Sequence, residues 1–139
     1  MTELATARPV AAVRWLGALG TAWESADPDA AAALFTADAT YSTDPYSPPR
    51  RGRSAIRDYW AGEVAGQRGV AVRFGTPVVD GDRVVAEWWA TLSESEDGPT
   101  TLAGIVVLRF DADGRCAELR EYWMATPWAI AAPQPGWGR

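Results

Sequence analysis

The hydrophobic periodicity of this chain changes once along its length, and this change constrains the fold more than any other feature. Up to about residue 65, apolar side chains recur at helical spacing, as at Leu16, Leu19 and Trp23. From residue 70 onward they occupy strand-like segments that are separated by turn residues. A run of helices followed by a run of strands predicts an α+β fold with an antiparallel sheet.

Three helices are predicted in the first half of the chain, and an extended segment, residues 39–44, precedes the third. Asp27-Pro28 marks the start of the second helix, because Asp is a favoured N-cap and Pro suits the first helical position. The predicted bounds are Leu4 to about Ala26 for the first helix, an onset at Asp27-Pro28 for the second, and an onset at Arg53 or Ser54 for the third, with Ile56, Trp60 and Val64 on its buried side.

Four strands are predicted in the second half, at residues 70–79, 83–92, 100–110 and 115–124. Asp80-Gly81-Asp82 lies between the first two and is a tight hairpin signal. The order therefore predicts a four-stranded antiparallel meander.

The long first helix is expected to cross one face of this sheet and bury it. If the sheet curls, helix and sheet enclose a cone whose open mouth is the expected place for a ligand pocket. We predict one domain over residues 1–126 and a Pro/Gly-rich tail over residues 127–139 that does not continue the sheet.

Two absences from the composition limit the chemistry. The chain has no histidine, which excludes Ser-His and Cys-His nucleophilic catalysis and His-ligated metals. Its single cysteine, Cys116, excludes an internal disulfide and a cysteine metal cluster. Acid–base chemistry must therefore use Asp, Glu, Tyr or water, and we expect no cofactor and no metal.

Charge and hydropathy narrow the partners. The net charge is −5, with 13 Lys+Arg against 18 Asp+Glu, and no basic run is present, so we expect no nucleic-acid partner. No run approaches the roughly 18 apolar residues of a membrane span, and the N-terminus does not resemble a signal peptide. We therefore expect a soluble, cytoplasmic protein without a membrane partner.

Tryptophan is unusually frequent, with eight in one small domain. Trp23, Trp60, Trp88, Trp89 and Trp123 all fall within predicted helices or strands. Aromatic side chains bury large areas, so each is expected to serve the core first. Their number also suggests that some of them line a cavity.

Four stretches of the sequence carry a resemblance to a known superfold: "LFTADATYSTDP", "GRSAIRDYW", "LRFDADGR" and "LREYW". They resemble segments of the nuclear transport factor 2-like superfold, in its ketosteroid isomerase and SnoaL-like branches, over about residues 10–125. The resemblance implies a cystatin-like cone, with three N-terminal helices packed on a strongly curved, mostly antiparallel sheet. It also implies a homodimer formed through the convex face of the sheet.

The same resemblance implies a general base at Asp44, once one residue is inserted in the preceding strand. It places Trp123 beside that base and Trp60 where the isomerases have a tyrosine. The two positions of the isomerases' oxyanion donors hold Leu19 and Val106 here. Because each donor typically matters by a few kcal/mol, true steroid isomerisation is not expected.

Glu121 is the second candidate carboxylate, because SnoaL-type polyketide cyclases carry an acid/base aspartate on the last strand. Side chains alternate along a strand, so if Trp123 faces the pocket, Leu119 and Glu121 face it too. A slip of one residue would reverse these assignments.

Together these positions predict a pocket with paired carboxylates. Burial and a nearby like charge both disfavour ionisation, so at least one of the two carboxylates should have a raised pKa, as proton transfer near neutral pH requires. The predicted catalytic residues are Asp44 and Glu121, and the predicted ligand-binding residues are Leu19, Trp23, Tyr46, Trp60, Val106, Leu119 and Trp123, with Tyr46 at the mouth.

Several alternatives remain open at this point. Asp44 could instead cap the Asp-Pro turn, and Glu121 could be a solvated residue that pairs with Arg109 or Arg120. Tyr41 is three residues from Asp44 and should face away from it unless a bulge intervenes.

The central hairpin also leaves two arrangements open. Either Glu87 and Trp89 or Ala86 and Trp88 face the cavity. We favour the second, with Glu87 paired to Arg120 on the convex face; the alternative is an Asp/Arg/Glu set in the pocket that activates a water molecule.

Two functions fit these features. The first is a cofactor-independent isomerase, cyclase or lyase in which Asp44 removes a proton next to the carbonyl of a small apolar ligand. The second is a non-catalytic module of the same fold, which binds a small hydrophobic molecule or serves dimerisation. The missing oxyanion donors favour the module, whereas Asp44 and the inward Trp123 favour the enzyme.

Overall fold

The structure, a computed structural model, describes residues 2–96, 98–126 and 129–139. It confirms the α+β class, with three helices packed on a curved mixed sheet. The helices are α1 (Thr2–Glu24), α2 (Pro28–Ala32) and α3 (Arg53–Ala65), and the strands are β1 (Phe35–Ser42), β2 (Arg50–Arg51), β3 (Arg68–Phe74), β4 (Val78–Asp80), β5 (Arg83–Ser95), β6 (Gly98–Phe110) and β7 (Cys116–Thr126).

The sheet has the order β2-β1-β7-β6-β5-β3, and β4 also pairs with β5. Strands β1 and β7 are parallel, and every other pair is antiparallel. The predicted meander is therefore present, with β1 added beside its last strand.

The single strand predicted at residues 70–79 is wrong, because β3 and β4 are separated by residues 75–77. Gly75 packs against the chain near its C-terminus, where a Cβ on Gly75 would lie 2.5 Å from Gly138 Cα. Pro77, which has no N–H to donate to a ladder, follows two residues later. Both features interrupt the strand.

Local capping explains how the helices begin. The Asp27 carboxylate accepts a hydrogen bond from the Ala30 N–H at 3.0 Å, so the predicted N-cap of α2 is confirmed. The Arg53 guanidinium donates to the Phe35 carbonyl at 2.7 and 3.1 Å, which ties the start of α3 to the start of β1. Ile56 and Trp60 are the buried residues of α3.

The core lies between α1, α3 and the concave face of the sheet. On β5 and β6 the even-numbered residues face it, and on β7 the odd-numbered ones do, since Trp88 pairs with Gly104 and Gly104 with Trp123. The buried residues Leu16, Leu19 and Trp23 of α1 lie in the same core.

The convex face of the sheet carries the C-terminal tail. Thr101 Oγ1 donates to the Ala129 carbonyl at 2.7 Å and accepts from the Ala131 N–H at 3.0 Å. Near the chain end, the Gly138 N–H donates to Glu87 Oε1 at 3.0 Å. Residues 129–139 form no helix or strand, while the predicted boundary at Pro127 lies outside the described residues.

Membrane insertion by a helix finds no support in the described part of the chain. Over these residues, no helix combines the length and the apolar character that crossing a bilayer requires.

Candidate functional site

A carboxylate and a phenol meet on the concave face. Glu121 lies on β7 opposite Val106 of β6, and Tyr41 lies on the parallel neighbour β1. Tyr41 Oη donates a hydrogen bond to Glu121 Oε1 at 3.0 Å. The alternation on β7 is as predicted, with Leu119, Glu121 and Trp123 on the concave side.

Burial dominates the acidity of Glu121 and raises its pKa to about 7. The hydrogen bond from Tyr41 and the charge of Arg50 lower the pKa, whereas the charge of Glu63 raises it. The predicted raised pKa of one carboxylate therefore falls on Glu121. Near neutral pH this group exists both as acid and as carboxylate.

Tyr41 is fixed as a hydrogen-bond donor. It is fully buried, and burial followed by the Glu121 charge raises its pKa well above the ordinary value of 10.0. Its ring lies 5.1 Å from that of Tyr59 on α3, measured between centroids. A phenol in this position stays protonated near neutral pH, so it orients Glu121 without competing for the proton.

Charged residues surround the outer side of this pair. The Arg50 guanidinium lies 4.2 Å from the centroid of the Tyr59 ring, in a cation–π contact. Glu63 follows Tyr59 by one helical turn on α3, and burial, assisted by the charge of Glu94, raises its pKa. The site thus holds more acidic than basic groups.

Tryptophan rings form the inner wall. Trp23 makes edge contacts with Trp60 and Trp88, with both pairs of ring centroids 5.6 Å apart. Trp88 lies over Gly104, where a Cβ would be 2.6 Å from Trp88 Cε2. The glycine is therefore what gives this ring its place on the sheet.

Asp44 does not point into the cone, and this prediction is wrong. Strand β1 ends at Ser42, and Asp44 Oδ1 accepts hydrogen bonds from the Tyr46 and Ser47 N–H groups at 2.8 Å each. These bonds, the one from Tyr46 first, lower the Asp44 pKa below its ordinary value of 3.8. The turn-capping alternative describes Asp44 in this structure.

Tyr46 does not close the mouth, because its side chain is 95% exposed on the same turn. Trp123 does face the concave side, and it is 39% exposed with its ring centroid 6.4 Å from that of Trp88. Trp123 is thus an aromatic residue at the open end of the cone.

The remaining predicted ligand-binding residues are buried. They belong to one hydrophobic cluster on the concave side, and their contact with a ligand stays a prediction: Leu19, Trp23, Trp60, Val106 and Leu119.

The open question about β5 is resolved in favour of Ala86 and Trp88, which are buried on the concave face. Glu87 lies on the convex face, as favoured, but its predicted pairing with Arg120 is wrong. Arg120 Nη1 lies 3.4 Å from Glu118 Oε1, and Glu87 accepts from the tail instead. Glu118 also forms a salt bridge with Arg109, so neither Arg109 nor Arg120 pairs with Glu121.

The residue that sequence reasoning undervalued is Tyr41. The signal was the alternation in β1, where Ala39 and Tyr41 are buried and Thr40 and Ser42 are half-buried. Tyr41 and Asp44 do not both face inward, as predicted, but the inward residue is Tyr41.

A cavity of ≈ 550 Å³ lies between the first half of α1 and the β4–β5 and β6–β7 turns, and Glu121 does not line it. Its lining includes Ala12 of α1, Val84 of β5 and Phe110 of β6. Around Glu121, in contrast, aromatic rings occupy the concave side, as the distances between Tyr41, Tyr59 and Trp60 show.

Comparison with known proteins agrees with this architecture. The profile of the SnoaL-like domain matches residues 16–119 of the chain. No curated protein matches the chain.

Solved structures of the same fold are found at low sequence identity. SalBIII, an epoxide hydrolase/cyclase-like enzyme with a role in pyran ring formation in the polyether salinomycin, is 21% identical with a TM-score of 0.70, covering 80% of this chain and 88% of that one. An LEH-like epoxide hydrolase of M. tuberculosis is 23% identical with a TM-score of 0.69, covering 83% and 84%.

A third similar structure is a hypothetical protein with a ketosteroid isomerase-like fold from Catenulispora acidiphila. It is 24% identical with a TM-score of 0.70, covering 78% of this chain and 83% of that one. Together these structures confirm the fold that the sequence resemblance implied.

Proposed function

Since the chain belongs to the SnoaL-like domain family, we propose that it is a cofactor-independent acid–base enzyme acting on a small apolar ligand, with Glu121 transferring the proton. One observation carries this proposal. A carboxyl group that is held by the buried Tyr41 phenol at 3.0 Å has a pKa of about 7. Such a group is suited to both halves of a proton transfer near neutral pH.

The chemistry follows from the two protonation states. As carboxylate, Glu121 accepts a proton from the carbon next to a carbonyl or from an attacking hydroxyl, and becomes the neutral acid. As acid, it returns that proton to the developing oxyanion or to carbon, which restores the carboxylate. Tyr41 keeps its own proton and holds Glu121 in place throughout.

The concave-face residues support an apolar ligand. Trp60, Val106 and Trp123 would form its wall. The similar structures include an epoxide hydrolase/cyclase-like enzyme and an LEH-like epoxide hydrolase, 21% and 23% identical, which supports an enzyme of this fold. Isomerase, cyclase and lyase reactions all remain within this proposal. The base is Glu121 rather than Asp44, whose carboxylate caps a surface turn.

A second function is favoured by one observation. Aromatic rings pack closely around Glu121, with Tyr41 and Tyr59 5.1 Å apart. This packing suits a non-catalytic module of the same fold, in which the concave side is only a core.

A proton-exchange assay separates the two functions. The wild type is incubated with cyclohexanone in D₂O, and deuterium uptake at the α-carbon is followed by NMR. We expect exchange above the buffer rate, and Glu121→Gln should lose it by about 10²- to 10⁴-fold, the usual contribution of a general base.

Two matched variants serve as controls. Glu118→Gln makes the same chemical change three residues away on the convex face, and Asp44→Asn removes the surface carboxylate. Both should exchange at the wild-type rate. Wild-type exchange no faster than buffer, or exchange that survives in Glu121→Gln, would refute the enzyme proposal.

For the assembly we propose a homodimer through the convex face. The tail covers the side of this face near Trp89, and exposed apolar side chains remain on the rest of it: Val85, Ile105, Tyr122 and Met124. Their exposure supports an interface of two copies. A sedimentation mass of twice 15.0 kDa is expected, and a mass of 15.0 kDa contradicts the dimer.

A further inference from the structure

Two indole N–H groups in the core lack a hydrogen-bond acceptor among the residues that the structure describes. They belong to Trp60 and Trp88, which are 5% and 4% exposed. Other indoles in the protein are satisfied: Trp15 donates to the Leu34 carbonyl at 2.9 Å, Trp23 to Gln67 Oε1 at 2.7 Å, and Trp89 to the Ala131 carbonyl at 2.9 Å.

An unpaired buried donor is costly, by about 1–3 kcal/mol for each group. Native proteins rarely keep such groups unless a bound molecule or a catalytic role accounts for them. Trp15, Trp23 and Trp89 show that this fold supplies acceptors to indoles elsewhere. The exceptions at Trp60 and Trp88 therefore point to a partner that arrives from outside the chain.

Trp60 lies beside the Glu121–Tyr41 pair, and Trp88 lies further along the same concave face. Trp60 comes from the helix side, with its ring 6.4 Å from that of Tyr41. Trp88 comes from the sheet side and lies over Gly104, whose β7 partner is Trp123, two residues from Glu121. Both rings contact Trp23, which joins them into one wall.

We propose that the indole N–H groups of Trp60 and Trp88 each donate to oxygen of the ligand, which is therefore an apolar molecule carrying uncharged carbonyl or ether oxygen. This inference rests on the proposed function and names its substrate class. The two donors supply what Leu19 and Val106 cannot, since those side chains have no N–H or O–H to offer.

The charges at the site favour a neutral acceptor over an anion. Glu121 and Glu63 lie on this side of the protein, and Arg50 is the cation that acts on both. A permanently anionic ligand would add a like charge to this group. An uncharged oxygen avoids that cost, and it can still be stabilised by an indole N–H donor when negative charge develops on it.

Binding must involve movement of a ring. In this conformation, solvent reaches neither indole nitrogen. Trp123, which is 39% exposed and 6.4 Å from Trp88, is the ring placed to move. A ligand that supplies the missing acceptor offsets the cost of that movement, as in a cryptic pocket that a ligand makes dominant.

The test is an NMR titration of the indole N–H signals in ¹⁵N-labelled protein. Trp60→Phe and Trp88→Phe assign the two signals by their disappearance. Cyclohexanone is the probe, and methylenecyclohexane, which has the same shape without oxygen, is its control. With cyclohexanone both indole protons should move downfield, while the Trp15 and Trp89 signals stay in place.

The affinity for cyclohexanone should fall by about 2- to 13-fold in each Phe variant, which corresponds to the 0.5–1.5 kcal/mol of one hydrogen bond. Absence of a downfield shift at Trp60 and Trp88, or equal shifts with both probes, overturns the proposal. Glu121 is titrated in the same sample. An ordinary Glu121 pKa would count against the proposed enzyme but not against the donor pair, so the two failures are distinguishable.

Discussion

Trp88 and Trp89 are neighbours on β5, yet they lie on opposite faces of the sheet, and their indole N–H groups differ in hydrogen bonding. The Trp89 N–H donates to the Ala131 carbonyl of the tail at 2.9 Å, and its ring packs against Trp137 at 5.9 Å between centroids. The Trp88 N–H is buried without an acceptor among the described residues.

The carboxylates show the same contrast. On the convex face, Glu87 receives the Gly138 N–H at 3.0 Å, so it anchors the tail. On the concave face, Glu121 is placed where burial raises its pKa to about 7. On the convex face the tail satisfies Glu87, Trp89 and Thr101, so their role is structural. The concave face keeps groups in energetically costly states, which is typical of functional sites.

The largest expected effect comes from Glu121→Gln, measured as unfolding free energy against pH. The folded-state pKa of Glu121 is raised from 4.5 to about 7. The wild type is therefore most stable below pH 4.5, and its unfolding free energy falls as pH rises from there through 7. Gln cannot ionise, so at pH 8 the variant should be more stable than the wild type by roughly 3 kcal/mol.

Asp44→Asn is the control for this experiment, because its effect on stability should have the opposite sign and the opposite dependence on pH. The folded-state pKa of Asp44 is lowered, so its contribution is present above pH 3.8 and is lost as pH falls. Asp44→Asn should therefore be less stable than the wild type at neutral pH, and the gap should close in acid. If the difference in unfolding free energy between Glu121→Gln and the wild type does not change with pH, the proposed contrast between the two faces of the sheet is wrong.

A smaller loss is expected for Gly104→Ala, which tests the placement of Trp88. The new Cβ would lie 2.5 Å from the Tyr122 carbonyl oxygen and 2.6 Å from Trp88 Cε2, so the backbone or the ring must shift. Overpacking of this kind costs roughly 2 kcal/mol. Chemical denaturation measures the loss.

Gly62→Ala is the matched control for this glycine. Gly62 lies within α3, where a Cβ meets nothing within 4 Å. Its replacement should stabilise the protein by up to about 1 kcal/mol through helix propensity. If both variants behave alike, Trp88 is not held over Gly104 as described.

The smallest effects come from replacing single indole N–H groups with sulfur, using benzothienylalanine in place of tryptophan. At position 89 the change removes the bond to Ala131 and should cost roughly 1 kcal/mol. At position 88 it removes an unpaired donor, so stability should stay the same or rise. Equal losses at both positions would mean that Trp88 has an acceptor after all.

The fold was predictable because it depends on local patterns. Helical spacing, the Asp27 cap and the turn residues each act over a few positions, and the structure agrees with them. The break between β3 and β4 was predictable only in part: Pro77 is a local signal, but the contact of Gly75 with Gly138, 63 residues away along the chain, is not. The same holds for Glu87, whose partner is the tail.

The site was predictable only in part. The alternation on β7 placed Glu121 on the concave face, but its partner Tyr41 lies 80 residues away along the chain on a parallel strand. Asp44 was misplaced because the position of a strand end decides which residue still alternates. Strand β1 ends at Ser42, so Asp44 belongs to the turn, where backbone N–H groups at Tyr46 and Ser47 hold it.

The most direct measurement is a ¹³C NMR titration of the Glu121 side-chain carboxyl, assigned with Glu121→Gln. The concave-face account predicts a midpoint near 7, raised by burial beside Tyr41. A midpoint at the ordinary value of 4.5 would show a solvated side chain and contradict the account.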